Sequence, residues 1–129
     1  MKPELILLLW AIALAFVQVL VAATGAFLQT GLPLLAGNRE KFPELTGWAG
    51  RANRAHRNML ENLVLFAALV FVGAAAGKSN EMTVLGAQLF FWGRFAYALL
   101  YIGGITWLRT GAWFVSVIGM VLMFVQLIK

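Results

Sequence analysis

Two stretches of this chain carry polar side chains at helical spacing within apolar sequence. Arg51, Arg54, Asn58 and Glu61 recur at steps of three and four, and so do Arg94, Tyr97 and Tyr101. Positions three, four and seven apart share one helix face, so each set forms a stripe. The reading turns both stripes toward the inside of a small bundle, where they meet each other or one partner. Guanidinium forks grip carboxylates in two places, so arginines beside tyrosine hydroxyls suit an anion bearing carboxylates. A purely structural network is the alternative, with Glu61 and Arg94 paired and Asn58 and the tyrosines taking the leftover hydrogen bonds. That pairing leaves Arg51, Arg54 and Arg57 without nearby acids, because Glu40 and Glu44 lie in a polar loop. Ionisable groups inside a membrane are functional candidates by default. Periodicity alone leaves both readings open.

Arg109 stands apart, in the stretch Ile105-Thr106-Trp107-Leu108-Arg109-Thr110. It is either a basic flank of a membrane span or a group that holds an anion at a helix start, where the helix dipole adds positive potential. His56 is out of phase with the Arg54, Asn58 and Glu61 face and reads as a packing residue. The segment 120–124, with Met120 and Met123, reads as lipid or subunit packing. Gly103 and Gly104 end a helix, since no phosphate-loop pattern follows them.

These residues sit in a chain of 129 residues, 62% of them hydrophobic, with a mean hydropathy of +0.86. Soluble domains are roughly half apolar, so the excess indicates a bilayer protein. Crossing about 30 Å of hydrocarbon takes about 20 apolar residues. Four spans follow, at about 5–29, 50–76, 81–104 and 109–128, forming a single domain over 1–129. The first ends near Gly31-Leu32-Pro33, a natural helix stop. Its apolar run is longer than a signal peptide's core, so it reads as a retained span. The apolar run 63–77 is too short to cross alone. It reaches full length only if its helix begins near Arg51 and carries the charged turns with it. Residues 37–48 form the one long loop, and Lys78-Ser79-Asn80-Glu81 a tight one with Asn80 as N-cap. The expected fold is all-α: an integral membrane, antiparallel four-helix bundle in a lipid bilayer.

The net charge of +5 does not indicate nucleic acid, because the basic residues flank or interrupt apolar runs. Without cysteine or aspartate there is no disulfide scaffold and no metal site is expected. Any thiol chemistry needs a thiol from outside the protein. No span has the mid-helix Gly/Pro break of a transporter's discontinuous helices. Lys and Arg counts favour the first and third loops, with Arg39, Lys41, Arg51 and Arg109, as the cytoplasmic side. Both termini then lie outside.

At the two stripes the sequence resembles the membrane-associated proteins in eicosanoid and glutathione metabolism. This family includes the microsomal glutathione transferases, leukotriene C synthase and microsomal prostaglandin E synthase. Its second-helix signature is matched by Arg51, Arg54, Asn58 and Glu61, and its third-helix signature by Arg94, Tyr97 and Tyr101. Its thiol-activating arginine at the start of the fourth helix is matched in place by Arg109. The likeness covers nearly the whole chain. It implies a homotrimer with one glutathione in each cleft between neighbouring subunits. Arg51, Arg54, Asn58, Glu61, Arg94, Tyr97 and Tyr101 would hold it, with Arg57 joining them. Glu61 would face its ammonium and the arginines its carboxylates. A free thiol has a pKa of about 8.5, which a nearby cation lowers, so Arg109 would stabilise the thiolate that attacks a lipophilic small-molecule substrate. Asn62 stands where some members carry tyrosine. The first-helix arginine of some eicosanoid enzymes has Arg39 as its nearest counterpart. The resemblance therefore implies a glutathione-dependent transferase or peroxidase more than any eicosanoid substrate. The alternative is a membrane scaffold or assembly subunit that keeps the fold without catalysis. Brevity and minimal loops read as bacterial. That places the chain in an inner membrane, with periplasmic termini and the thiol site toward the cytoplasm.

Overall fold

A computed structural model describes residues 1–37 and 43–129, the side chain of Leu34 excepted. The helices are α1 (Pro3–Thr30), a short α2 (Leu32–Ala36), α3 (Gly47–Ala76), α4 (Glu81–Ile102) and α5 (Thr106–Ile128). Four long helices form the bundle, and there is no strand among the described residues. Arg39, Glu40 and Lys41 lie outside the described residues, so the counterpart role given to Arg39 and the loop charges cannot be placed.

Local chemistry accounts for the boundaries. Pro3 sits in the first turn of α1, where its missing N–H costs nothing, and Glu4 adds a negative charge at the positive end of the helix dipole. The chain leaves α1 at Gly31 through φ +82°, with Pro33 just beyond. Asn80 caps α4 as expected: its side chain accepts from the N–H groups of Met82 and Thr83, and the Thr83 hydroxyl accepts from the Asn80 N–H. The other end of α4 closes at Gly103-Gly104, also as expected.

Hydrogen bonds at the helix ends fix the antiparallel order. Gln29 near the end of α1 bonds Thr46 just before α3, donating to its carbonyl at 2.7 Å. At the opposite face Glu4 accepts from Ser79 and Thr83. Lys78 donates to the Leu127 carbonyl and Asn80 to Gln126, so α5 ends where α4 begins. The core between them holds Leu7, Met59, Phe66, Phe90 and Met123, with the Phe66 and Phe90 rings stacked 4.1 Å apart. The methionines at 120 and 123 are buried, in line with the packing role read from sequence.

Helices α4 and α5 pack most closely, and small residues make this possible. A Cβ on Gly86 would lie 2.7 Å from Met123 Cγ, and one on Gly93 would lie 2.9 Å from the Ser116 nitrogen. Bilayer helices associate by such close backbone approach, since lipid supplies no hydrophobic drive between them. Outward, the bundle exposes Trp10, Phe16, Val64, Phe71, Trp92 and Phe124. An apolar exterior of this kind faces lipid or other subunits.

Helices α1, α3 and α5 are each long and apolar enough to cross a membrane. Helix α4 is not among them, which departs from the four apolar spans expected. Its 22 residues would reach about 33 Å at 1.5 Å per residue. What lowers its apolar character is Gln88, Arg94, Tyr97 and Tyr101, the last three being the stripe read from the sequence.

Candidate functional site

The polar residues gather where α3 begins and α4 ends. Arg51 Nε donates to the Ile102 carbonyl at 2.9 Å, tying the first turns of α3 to the last turn of α4. One turn on, Arg54 Nε donates to the Tyr101 hydroxyl at 3.1 Å. Arg109, in the first turn of α5, lays its guanidinium 4.2 Å from the Tyr101 ring centroid. Tyr101 thus carries one arginine on its face and another on its hydroxyl. Cations are attracted to the negative face of an aromatic ring within about 6 Å. The ring therefore seats both arginines without neutralising them, and neither is ion-paired with an acid among the described residues.

Beside them lies a cavity of about 270 Å³ lined by Asn58, Tyr97, Tyr101, Arg109, Thr110 and Trp113. None of these lining residues is an acid. Asn58 is supported from below by Asn62, whose amide donates to the Asn58 carbonyl at 2.9 Å and to its side-chain oxygen at 3.3 Å. A second cavity, of about 500 Å³, takes in Glu44, Asn53, Arg54 and Arg57. Arg54 therefore lines one cavity and touches the wall of the other.

Two expectations are corrected. The α3 stripe does not turn into the bundle: Arg54, Arg57 and Glu61 are exposed, Arg51 and Asn58 half-buried. The inward face of α3 is Ala49, Ala52, Ala55, Met59, Phe66 and Val70. Small alanines let α1 approach there, and long charged side chains take the face that this chain leaves open. The structural alternative, a Glu61–Arg94 ion pair, is also not formed. Glu61 is exposed, while Arg94 is 1% exposed with none of its three nitrogens hydrogen-bonded among the described residues.

Tyr97, Tyr101, Asn58 and Arg109 line one cavity; spacing put the two tyrosines on one face, and the family resemblance alone had joined Arg109 to them. Arg94 is not: it lies behind Tyr97, 4.3 Å from that ring's centroid, and does not line the cavity. Arg51 and Glu61 are likewise absent from its lining. Thr110 and Trp113 escaped the sequence reading. Their signal was available, since α5 brings residue 113 to the face of residue 109 one turn later. Gln18 is 4% exposed, with neither amide atom hydrogen-bonded among the described residues. His56 is half-buried with its Nδ1 enclosed, in keeping with a packing residue.

Chemically the cavity is a place for an anion. One guanidinium, two phenols, an amide and a hydroxyl line it without a carboxylate, with Arg54 behind the Tyr101 hydroxyl, at the N-terminal end of α5 where unsatisfied N–H groups add positive potential. Neither a curated protein nor a solved structure matches the chain. The model of the MAPEG family matches residues 5–129, nearly the whole chain. This is an integral membrane protein, and it belongs to the MAPEG family.

Proposed function

We propose that the protein is a membrane-bound, glutathione-dependent transferase or peroxidase acting on lipophilic electrophiles or hydroperoxides. The observation that carries this reading is the arginine pair on Tyr101, Arg54 at the hydroxyl and Arg109 on the ring, beside a cavity with no acid in its lining. When bound, glutathione supplies the nucleophilic sulfur. Arg109 holds the sulfur's negative charge, and its own seat on Tyr101 keeps it from folding back toward solvent. Thr110 and Tyr97 offer hydroxyls on the same wall. Arg54, Arg57 and Arg51 face the carboxylates, and Glu61 faces the ammonium. Because Arg57 and Glu61 are exposed in the single chain, this arrangement needs a second copy to enclose the ligand, which is the role of a homotrimer.

The lipophilic partner has a place as well. An apolar groove of about 510 Å³ runs between α3 and α5, lined by Leu65, Val72, Val117, Val121 and Phe124 among others. Val117 lies about 12 Å along α5 from Arg109 at 1.5 Å per residue. An electrophile entering from the bilayer could rest an apolar tail there with its reactive end toward the arginine.

Thiolate absorbance tests the reading. Purified protein with glutathione is expected to give a thiolate band near neutral pH, and Arg109→Ala to lose it. Binding without a band, or a band that survives Arg109→Ala, contradicts the role given to Arg109. Absence of any glutathione binding, together with co-purification in a larger complex, would favour the scaffold reading instead.

A further inference from the structure

Arg94 is buried to 1% exposure, and Nε, Nη1 and Nη2 are all without a hydrogen-bond partner among the described residues. A charged group in a low-dielectric interior is tolerated only where something answers its charge. Here that is the face of Tyr97, 4.3 Å from the guanidinium carbon. The Tyr97 ring lies 5.4 Å from that of Tyr101, which Arg109 covers at 4.2 Å. The two tyrosines therefore stand in series between an interior cation and one beside the cavity. Tyr97 lines that cavity and Arg94 does not, so a ligand can touch the ring but reaches the guanidinium only if the bundle rearranges.

We propose that Arg94 is a positioning residue, which from inside the bundle clamps the Tyr97 ring as the cavity's inner wall and places positive charge behind it. It acts on a bound anion through Tyr97 and is not one of the anion's ligands. The identity of that anion rests on the glutathione reading; the coupling of Arg94 to Tyr97 does not. The groups facing Tyr97 are few: Arg94 and Tyr101 from α4, Arg109 from α5, and Asn58 from α3 across the cavity. Arg54 of α3 meets the neighbouring Tyr101 hydroxyl. With no carboxylate lining the cavity, Arg94 is one of two guanidiniums acting on Tyr97.

The chain has two tyrosines, which makes the coupling measurable without any thiol. In a Tyr101→Phe background labelled with 3-fluorotyrosine, the single fluorine resonance reads the Tyr97 ring alone. A ring clamped by a cation on its face is held in one orientation. Arg94→Met is therefore expected to shift that resonance and free the ring to flip, and Arg94→Lys to restore most of the difference. Arg94→Gln carries the same expectation as Arg94→Met should the latter not fold. With Tyr101 intact, glutathione affinity measured by calorimetry is expected to fall about tenfold in Arg94→Met and in Tyr97→Leu, and no further in the double variant. An unmoved resonance, or additive losses in the double variant, overturns the proposal. If wild-type protein takes up no glutathione while the resonance shift is present, the glutathione reading alone fails.

Discussion

The two ends of this bundle use polar side chains in opposite ways. At one end a single carboxylate, Glu4, accepts from the hydroxyls of Ser79 and Thr83 at 2.7 and 2.8 Å. Asn80 caps α4 beside it, and Lys78 reaches the Leu127 carbonyl. Donors meet acceptors there, and helices α1, α4 and α5 are held to the turn before α4. At the other end Arg54 and Arg109 converge on one tyrosine, with no acid lining the cavity they adjoin. Among the described residues the buried side-chain polar atom left unpaired at the first end is Glu4 Oε1. The second has charge to spare. Buried polar groups that satisfy each other fix a structure, whereas unanswered charge kept in place by aromatic rings is suited to a ligand.

Substitutions at each end should separate these roles. The largest effect is expected at Arg109: alanine should lower turnover of a lipophilic electrophile by about 10²–10³-fold, the usual loss when a group stabilising reactive charge is removed. Unfolding in mixed detergent should be unchanged within about 0.5 kcal/mol, since Arg109 makes no hydrogen bond within the described residues that holds the bundle. At the opposite end Glu4→Ala should invert this pattern. It leaves the Ser79 hydroxyl without its acceptor and the Thr83 hydroxyl with the Asn80 carbonyl alone, which is expected to cost about 2 kcal/mol of stability with turnover per folded protein unaltered. Asn80→Ala removes the cap of α4 and should cost about 1 kcal/mol. The smallest change is expected for Thr110→Ala, a loss of a few-fold in turnover, about 1 kcal/mol, with stability untouched. If Glu4→Ala abolished turnover at full folded content, the two ends would not be independent, and the contrast would fail.

How much of this was legible in the sequence depends on what each signal encodes. Helix ends were readable because they depend on neighbours in sequence: Asn80 before α4, Gly103-Gly104 after it, Gly31 and Pro33 after α1. Tyr97 and Tyr101 were readable as a pair because spacing specifies a shared face, whereas Arg109, on the next helix, was joined to them only by the family resemblance. What spacing cannot specify is which neighbour that face meets. The stripe of α3 therefore seemed to point inward, when the alanines at 49, 52 and 55 claim the interior by letting α1 pack close. The same limit hid Arg94, whose period matches Tyr97 and Tyr101 although the bundle encloses it and opens them to the cavity. The role of Glu4 left no sign in the sequence, since its partners Ser79 and Thr83 lie far along the chain. Long-range pairings of this kind leave no local trace.

The most direct test of the account is proton release on glutathione binding, measured by calorimetry at neutral pH in buffers of different ionisation heat. A cavity that holds the sulfur as thiolate through Arg109 must expel the thiol proton. Wild-type protein should therefore release close to one proton per glutathione, and S-methylglutathione should bind with no release. Binding of glutathione without proton release would contradict the account.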